Sequence, residues 1–323
     1  MTLNEIKAPI EGHMQTFEKR FRASMKSKVP LLDTITRYIV KRKGKQIRPL
    51  FVFFSAELFA PINEKTYRAA SLIELLHTAT LIHDDVVDDS NERRGFFSLN
   101  ALWKNKISVL VGDYLLSRGL LLSLENDDFD LLKIVSNSVR EMSEGELLQI
   151  EKARNLDIEE DIYFEIIRKK TASLIASCLS SGAASVGAGP EDISKMLRIG
   201  ELIGIAFQIK DDILDFDTRN HKGKPTGVDI KERKMTLPLI YLLNNSSFLE
   251  KRRIINTIKN HYDNQEKVNQ LMEEVNQSGG IEYAIKKMKD YKDQAIELLA
   301  EMPDRPARES LKHLIHFTIE RDK

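Results

Sequence analysis

Cysteine is nearly absent: Cys178 stands alone among 323 residues. A single thiol builds neither a disulfide framework nor a cysteine-rich metal site, and it suits a reducing compartment. An excess of charge is missing as well. Lys and Arg total 49, as do Asp and Glu, so no broad basic field can hold nucleic acid by releasing phosphate counterions, and nucleic acid drops out as a partner. The stretch 1–22 lacks an apolar run, with Glu5, Glu11 and Glu18 spread through it. That argues against a signal peptide or membrane-spanning start and points to a cytoplasmic protein without an integral membrane segment. Strict alternation of apolar and polar residues, the mark of strands, is scarce too. What is there is a chain rich in Leu, Ile, Ala, Glu and Lys with apolar residues three and four apart, which predicts an all-α fold. Gly, Pro, Asn and Asp cluster at 43–44, 61–63, 91–95, 126–128, 187–190, 219–227, 279–280 and 303–306, and these mark the expected helix ends. No linker or repeat divides residues 1–323, which read as one domain.

Two acidic clusters stand out. Leu81-Ile82-His83-Asp84-Asp85-Val86-Val87-Asp88-Asp89 closes one long apolar helical stretch, and Gln208-Ile209-Lys210-Asp211-Asp212-Ile213-Leu214-Asp215 closes another. On a helix Asp84 and Asp88 lie one turn apart, as do Asp211 and Asp215, so like charges share a face and destabilise it. One such pair is ordinarily a cap or a solvated edge; the repetition argues for a ligand. If both clusters face one cavity, unit charges ~4 Å apart repel by ~4 kcal/mol at an effective dielectric near ~20, which cations must relieve. Oxygen-only donors with no supporting His or Cys cluster select a hard ion, Mg²⁺, which commonly bridges to substrate phosphate oxygens. Neither cluster has the glycine and alternating ligands of a calcium loop.

The two DDxxD blocks resemble the aspartate-rich motifs of the trans-isoprenyl diphosphate synthases, the polyprenyl synthetase family, and the likeness runs through most of the chain. Gly44-Lys45-Gln46-Ile47-Arg48-Pro49 resembles the family's upstream block, His77 stands where its helix histidine does, and Arg93-Arg94-Gly95 follows the first motif. Lys170-Thr171-Ala172, Phe207-Gln208, Gly223-Lys224 and Lys234-Met235-Thr236-Leu237-Pro238 continue the order. Gly112-Asp113-Tyr114-Leu115 and Glu144-Gly145-Glu146-Leu147-Leu148-Gln149 are similar to the long-chain, octaprenyl-like branch. Four positions depart from the family pattern: Lys43, Gln46, Phe97, and Arg233, which stands where glycine usually precedes the lysine.

The resemblance implies a single-domain helical bundle around a deep apolar central cavity, and a magnesium-dependent prenyltransferase. Such an enzyme ionises an allylic diphosphate, farnesyl or geranyl, adds isopentenyl diphosphate and releases a proton. It implies three Mg²⁺ ions with substrate bound, held by Asp84, Asp88 and Asp211, with Asp85, Asp212 and Asp215 as further ligands or behind them. Arg93, Lys170, Lys224 and Lys234 would clamp the allylic diphosphate, stabilising charge that accumulates in the transition state. Lys45, Arg48, His77 and Arg94 would bind isopentenyl diphosphate, arginine's planar fork suiting phosphate oxygens. Thr171, the Lys170 carbonyl and Gln208 would face the allylic cation. Family likeness also implies a homodimer.

Product length is read from Ala79 and Thr80, one turn before Asp84, where short-chain relatives carry bulky aromatics. Small residues there leave the shaft open, which predicts hexa- to octaprenyl products for quinone side chains. Gly200 and Gly204 either leave room for a prenyl tail or let helices pack closely, packing being the plainer reading. The rival readings are a geranylgeranyl-type synthase, a non-catalytic partner subunit, a prenyl cyclase or head-to-head synthase, and a helical scaffold with acidic patches. The basic residues Lys45, Arg48 and Arg94 argue against the cyclase, and two intact aspartate motifs argue against the partner subunit.

Overall fold

Apolar residues three and four apart fold into sixteen α-helices among the described residues of the computed structural model, which are 1–41, 44–90, 92–93, 96–155, 159–216 and 227–320. The first eight are α1 (Leu3–Lys7), α2 (Glu11–Ser24), α3 (Pro30–Lys41), α4 (Ile47–Phe59), α5 (Glu64–Val87), α6 (Leu99–Leu124), α7 (Phe129–Asn155) and α8 (Glu160–Ile167). The others are α9 (Ser173–Ser185), α10 (Pro190–Asp215), α11 (Val228–Lys231), α12 (Leu237–Asn244), α13 (Phe248–Asn260), α14 (Gln265–Gln277), α15 (Gly280–Ala300) and α16 (Pro306–Glu320). Helix starts follow side-chain chemistry. Asn63 opens α5 by accepting the Thr66 N–H, and Ser98 opens α6 by accepting that of Ala101; such caps contribute ~1 kcal/mol each. The one strand pairing among the described residues joins β1 (Glu92–Arg93) and β2 (Phe96–Phe97), antiparallel, with Arg93 opposite Phe96.

Contacts divide the chain into two compact units. One comprises Met1–Val139, Ser177–Leu197 and Met302–Leu314; the other comprises Arg140–Ala176, Arg198–Glu301 and Ile315–Lys323.

In the first unit α4 is apolar on nearly every side, and Leu50 through Phe54 are wholly buried, as such a helix must be. Ser55 Oγ ties it to α9 by donating to the Leu179 carbonyl at 2.5 Å. Arg68 on α5 forks onto the buried Asp128 at 2.5 and 3.1 Å. By length and composition α6 is the one described helix that could cross a membrane. Its residues Leu99, Val111 and Leu115 form a buried cluster with Leu75, Ala79 and Ile82 of α5 and with Met25 and Ile35, so that face belongs to the interior of the unit.

In the second unit the C-terminal half of α10 packs onto the start of α9. A Cβ on Gly204 would lie 2.3 Å from Ala172 Cα, and one on Gly200 2.4 Å from Ala176 Cα, so these glycines serve close helix packing. Between α8 and α9 the backbone loosens into a π turn, Arg168–Ala172. Such bulges are rare and concentrate at functional sites. Helices α12 to α15 complete this unit, with Arg253 forked onto Glu274 and the Tyr283 hydroxyl donating to Glu160 at 2.6 Å.

Candidate active site

A cavity of about 250 Å³ opens within the second unit, at the C-terminal end of α10. The π turn supplies Lys170 and Thr171, α10 supplies Gln208, Asp211 and Asp212, and the segment around α11 and the start of α12 supplies Asp229, Lys234, Met235 and Thr236. Ile166 and Ile167 add an apolar wall. Thus Lys170, Thr171, Gln208, Asp211, Asp212 and Lys234, singled out separately in the sequence, meet around one space. The lining is mostly polar and charged, with Ile166, Ile167 and Met235 as its apolar part.

The polar groups are held in definite directions. The Thr171 hydroxyl donates to Gln208 Oε1 at 2.8 Å, and Gln208 Nε2 donates to Asp212 Oδ1 at 2.9 Å. The Tyr163 hydroxyl donates to Asp212 Oδ2 at 2.7 Å. Lys170 pairs with Glu146 and donates to Gln149 Oε1 at 3.3 Å. Lys234 pairs with Glu232 and lies 3.6 Å from Asp229.

Charge is crowded here. Burial, reinforced by the neighbouring Asp229 and Asp211 charges, pushes the Asp212 carboxyl up to about 7. Burial pushes Asp229 up to about 6, opposed by Lys234 and assisted by Asp215, Glu232 and Asp211. Asp215 is raised by burial as well, although two backbone donors hold it back. Those donors are the N–H groups of Val228 and Asp229, each 3.1 Å from one Asp215 oxygen. Asp215 therefore caps α11. Asp211, by contrast, is exposed and lines the cavity.

The first acidic cluster ends α5 in the first unit. Asp84 is half-buried, Asp85 buried, and Asp88 exposed at the C-cap, where its N–H closes onto the Asp84 carbonyl at 2.8 Å. Both clusters therefore sit at helix C-termini, the negative end of the macrodipole, with no basic residue in either last turn. Acidic side chains there are unfavourable twice over, and a bound cation removes both penalties. Among the described residues no three His, Cys, Asp or Glu side chains already converge on a metal position, so substrate oxygens would have to complete the coordination. The donor chemistry, all carboxylate, fits a hard divalent ion.

Of the remaining candidates, Arg48 is held by Glu74 at 2.7 Å, Lys45 is exposed and His77 half-buried. Ala79 is fully buried in the α5–α6 cluster, and the half-buried Thr80 donates to the His77 carbonyl. Arg93 is described only as backbone in β1, and Arg94 and Lys224 lie outside the described residues. Two polar cavity residues escaped the sequence reading, Tyr163 and Asp229. Tyr163 stands seven residues before Lys170, two turns along the same face, and Asp229 stands five before Lys234. Those spacings were the available signals.

The polyprenyl synthetase family model matches residues 29–275. An all-trans-nonaprenyl-diphosphate synthase (geranyl-diphosphate specific) from Rhodobacter capsulatus is 35% identical, covering 98% of this chain and 97% of its own. The crystal structure of a polyprenyl synthase from Caulobacter crescentus CB15, complexed with calcium and isoprenyl diphosphate, superposes with a TM-score of 0.91 at 31% identity over 100% of this chain and 98% of that one. That of a geranylgeranyl pyrophosphate synthase from Bacteroides thetaiotaomicron gives a TM-score of 0.84 at 37% identity over 98% and 99%.

Proposed function

The chain belongs to the polyprenyl synthetase family, and from that premise we propose that it is a magnesium-dependent prenyltransferase joining isopentenyl diphosphate to farnesyl or geranyl diphosphate. The observation that carries this reading is the second-unit cavity, where Asp211 and the amines Lys170 and Lys234 adjoin the Thr171–Gln208 pair. In this reading the whole chain, 1–323, works as one catalytic domain, with Asp84 and Asp88 of α5 and Asp211 of α10 as the metal ligands. Asp85, Asp212 and Asp215 stand behind them. Divalent ions held there would neutralise the departing diphosphate and make it a better leaving group.

The chain's own groups account for the rest. Lys170 and Lys234, with Lys224 and Arg93, hold the diphosphate where charge builds as the allylic C–O bond breaks. Ile166, Ile167 and Met235 exclude water, which strengthens each of those interactions. Thr171 and Gln208 turn polar oxygens to the cation. Lys45, Arg48, His77 and Arg94 bind the diphosphate of isopentenyl diphosphate, with Glu74 aiming the Arg48 fork.

We read the product as long, hexa- to octaprenyl, on the small residues Ala79 and Thr80 and on the nonaprenyl-forming relative. The geranylgeranyl-forming neighbour at 37% identity favours a second, shorter-chain reading. A homodimer is supported by Leu110, Leu121 and Leu124, exposed on α6 beyond its break at Lys104, an apolar stripe of the kind covered at an interface. Incubating the protein with farnesyl diphosphate, labelled isopentenyl diphosphate and Mg²⁺, then sizing the products by chromatography, tests the proposal. Labelled products longer than the primer, lost on chelation, are expected; no elongation with a folded protein and Mg²⁺ refutes it.

A further inference from the structure

Asp212 is placed like a metal ligand by its motif, yet both its oxygens are already engaged. Tyr163, 4% exposed, donates to one, and Gln208 Nε2 donates to the other. Asp212 accepts in both bonds, and the part of the Gln208 amide that faces it is the NH₂ group. The amide oxygen then has to point at Thr171. The single Thr171 proton is spent on that oxygen at 2.8 Å, which leaves Thr171 Oγ to act toward the cavity as an acceptor. Each bond in this series sets the direction of the next, and Tyr163 closes it at its buried end.

We propose that Tyr163 and Asp212 are positioning residues. Together they set the polarity of a hydrogen-bonded relay so that Gln208 and Thr171 present oxygen, and not hydrogen, to the developing allylic cation. This rests on the reading that the cavity holds the allylic substrate. Were the amide reversed, its NH₂ would face Thr171, the threonine would turn its proton outward, and two positive ends would meet the cation. Preorganised dipoles act most strongly where water is excluded and charge appears only in the transition state. The effect therefore falls on kcat and leaves binding of the ground-state diphosphate unaffected.

Two variants test the relay. Tyr163→Phe keeps the ring and removes the terminal donor, freeing the Asp212 carboxylate to turn. Asp212→Asn supplies an amide N–H that can donate to Gln208 Oε1 and so permits the reversed arrangement. We expect kcat to fall about tenfold for Tyr163→Phe and about a hundredfold for Asp212→Asn, on the scale of losing one oriented dipole. KM for both substrates should hold within about twofold, because uniform binding is untouched. Calorimetric binding of inorganic pyrophosphate with Mg²⁺ should match the parent protein. Asp211→Asn serves as the comparator, and it should weaken pyrophosphate binding. Unchanged kcat in both variants overturns the relay, as does weakened pyrophosphate binding in Asp212→Asn, which would make that residue a metal ligand. Unchanged pyrophosphate binding in Asp211→Asn would instead overturn the reading of the cavity, and the relay with it.

Discussion

Replacing Gly145 by alanine adds one methyl group at the point where α7 meets the π turn. The new Cβ would stand 2.8 Å from the Lys170 nitrogen and 2.9 Å from Lys169 Cβ. Ordinary contact begins near 3.4 Å, so the turn must retreat by about 0.6 Å, carrying Lys170 and Thr171 with it. Overpacking of this kind costs ~1–3 kcal/mol, partly offset by the ~1 kcal/mol that alanine contributes to helix propensity. Stability should therefore change little, and the melting temperature should drop by no more than a few degrees. Activity should change far more, because a displacement near ~1 Å of positioned groups lowers rates by up to ~10²-fold. We expect kcat, measured with labelled isopentenyl diphosphate, to fall about ten- to hundredfold. Gly12→Ala provides the control. Nothing lies within 4 Å of its Cβ, so it should leave kcat unchanged and raise the melting temperature slightly. If Gly145→Ala behaves like that control, the argument that the π turn positions the reacting groups is wrong.

Burial holds protons on Asp212 and Asp229 up to about 7 and about 6, against an ordinary 3.8. The unfolded chain has released those protons above the ordinary value, so between roughly pH 4 and 7 the folded state binds more of them and its contribution to stability grows as pH falls. Melting scans of Asp212→Asn should show a shallower pH dependence than the parent over that window; an identical slope would remove Asp212 from the explanation. Arg233 adopts a left-handed backbone at φ 58, which costs roughly 1–2 kcal/mol for a non-glycine residue, while its guanidinium lies 4.2 Å over the Tyr262 ring, returning ~0.5–1 kcal/mol. Arg233→Gly should melt within a couple of degrees of the parent, whereas the β-branched Arg233→Val should melt clearly lower; equal melting of the two would refute the strain. Ala79→Phe should shorten the product, read by chromatographic sizing, and an unchanged product distribution would place the growing chain elsewhere.

The all-α architecture was legible because helix periodicity and turn residues are local, acting within one or two turns. Helix ends at Asn63, at Asn126–Asp128, at Pro190 and at Pro306 fall where Gly, Pro, Asn and Asp cluster. The duplicated aspartates and the ordered Lys, Thr and Gln could be picked out for the same reason: each motif lies within a single helix or loop. Arg233 stood out only as a departure from a family glycine, and the left-handed backbone found there is where glycine costs least. What a linear reading could not supply was the fate of each group once helices packed. Asp211, Asp212 and Asp215 share one motif in the chain, yet one is exposed at the cavity, one is buried in its wall beside Tyr163 and Gln208, and one caps α11. Tyr163 and Asp229, distant from α10 in sequence, join its carboxylates only through tertiary contact. Residue type sets which bonds a side chain can make, but burial and the nearest donors choose among them, and both are properties of the packed molecule.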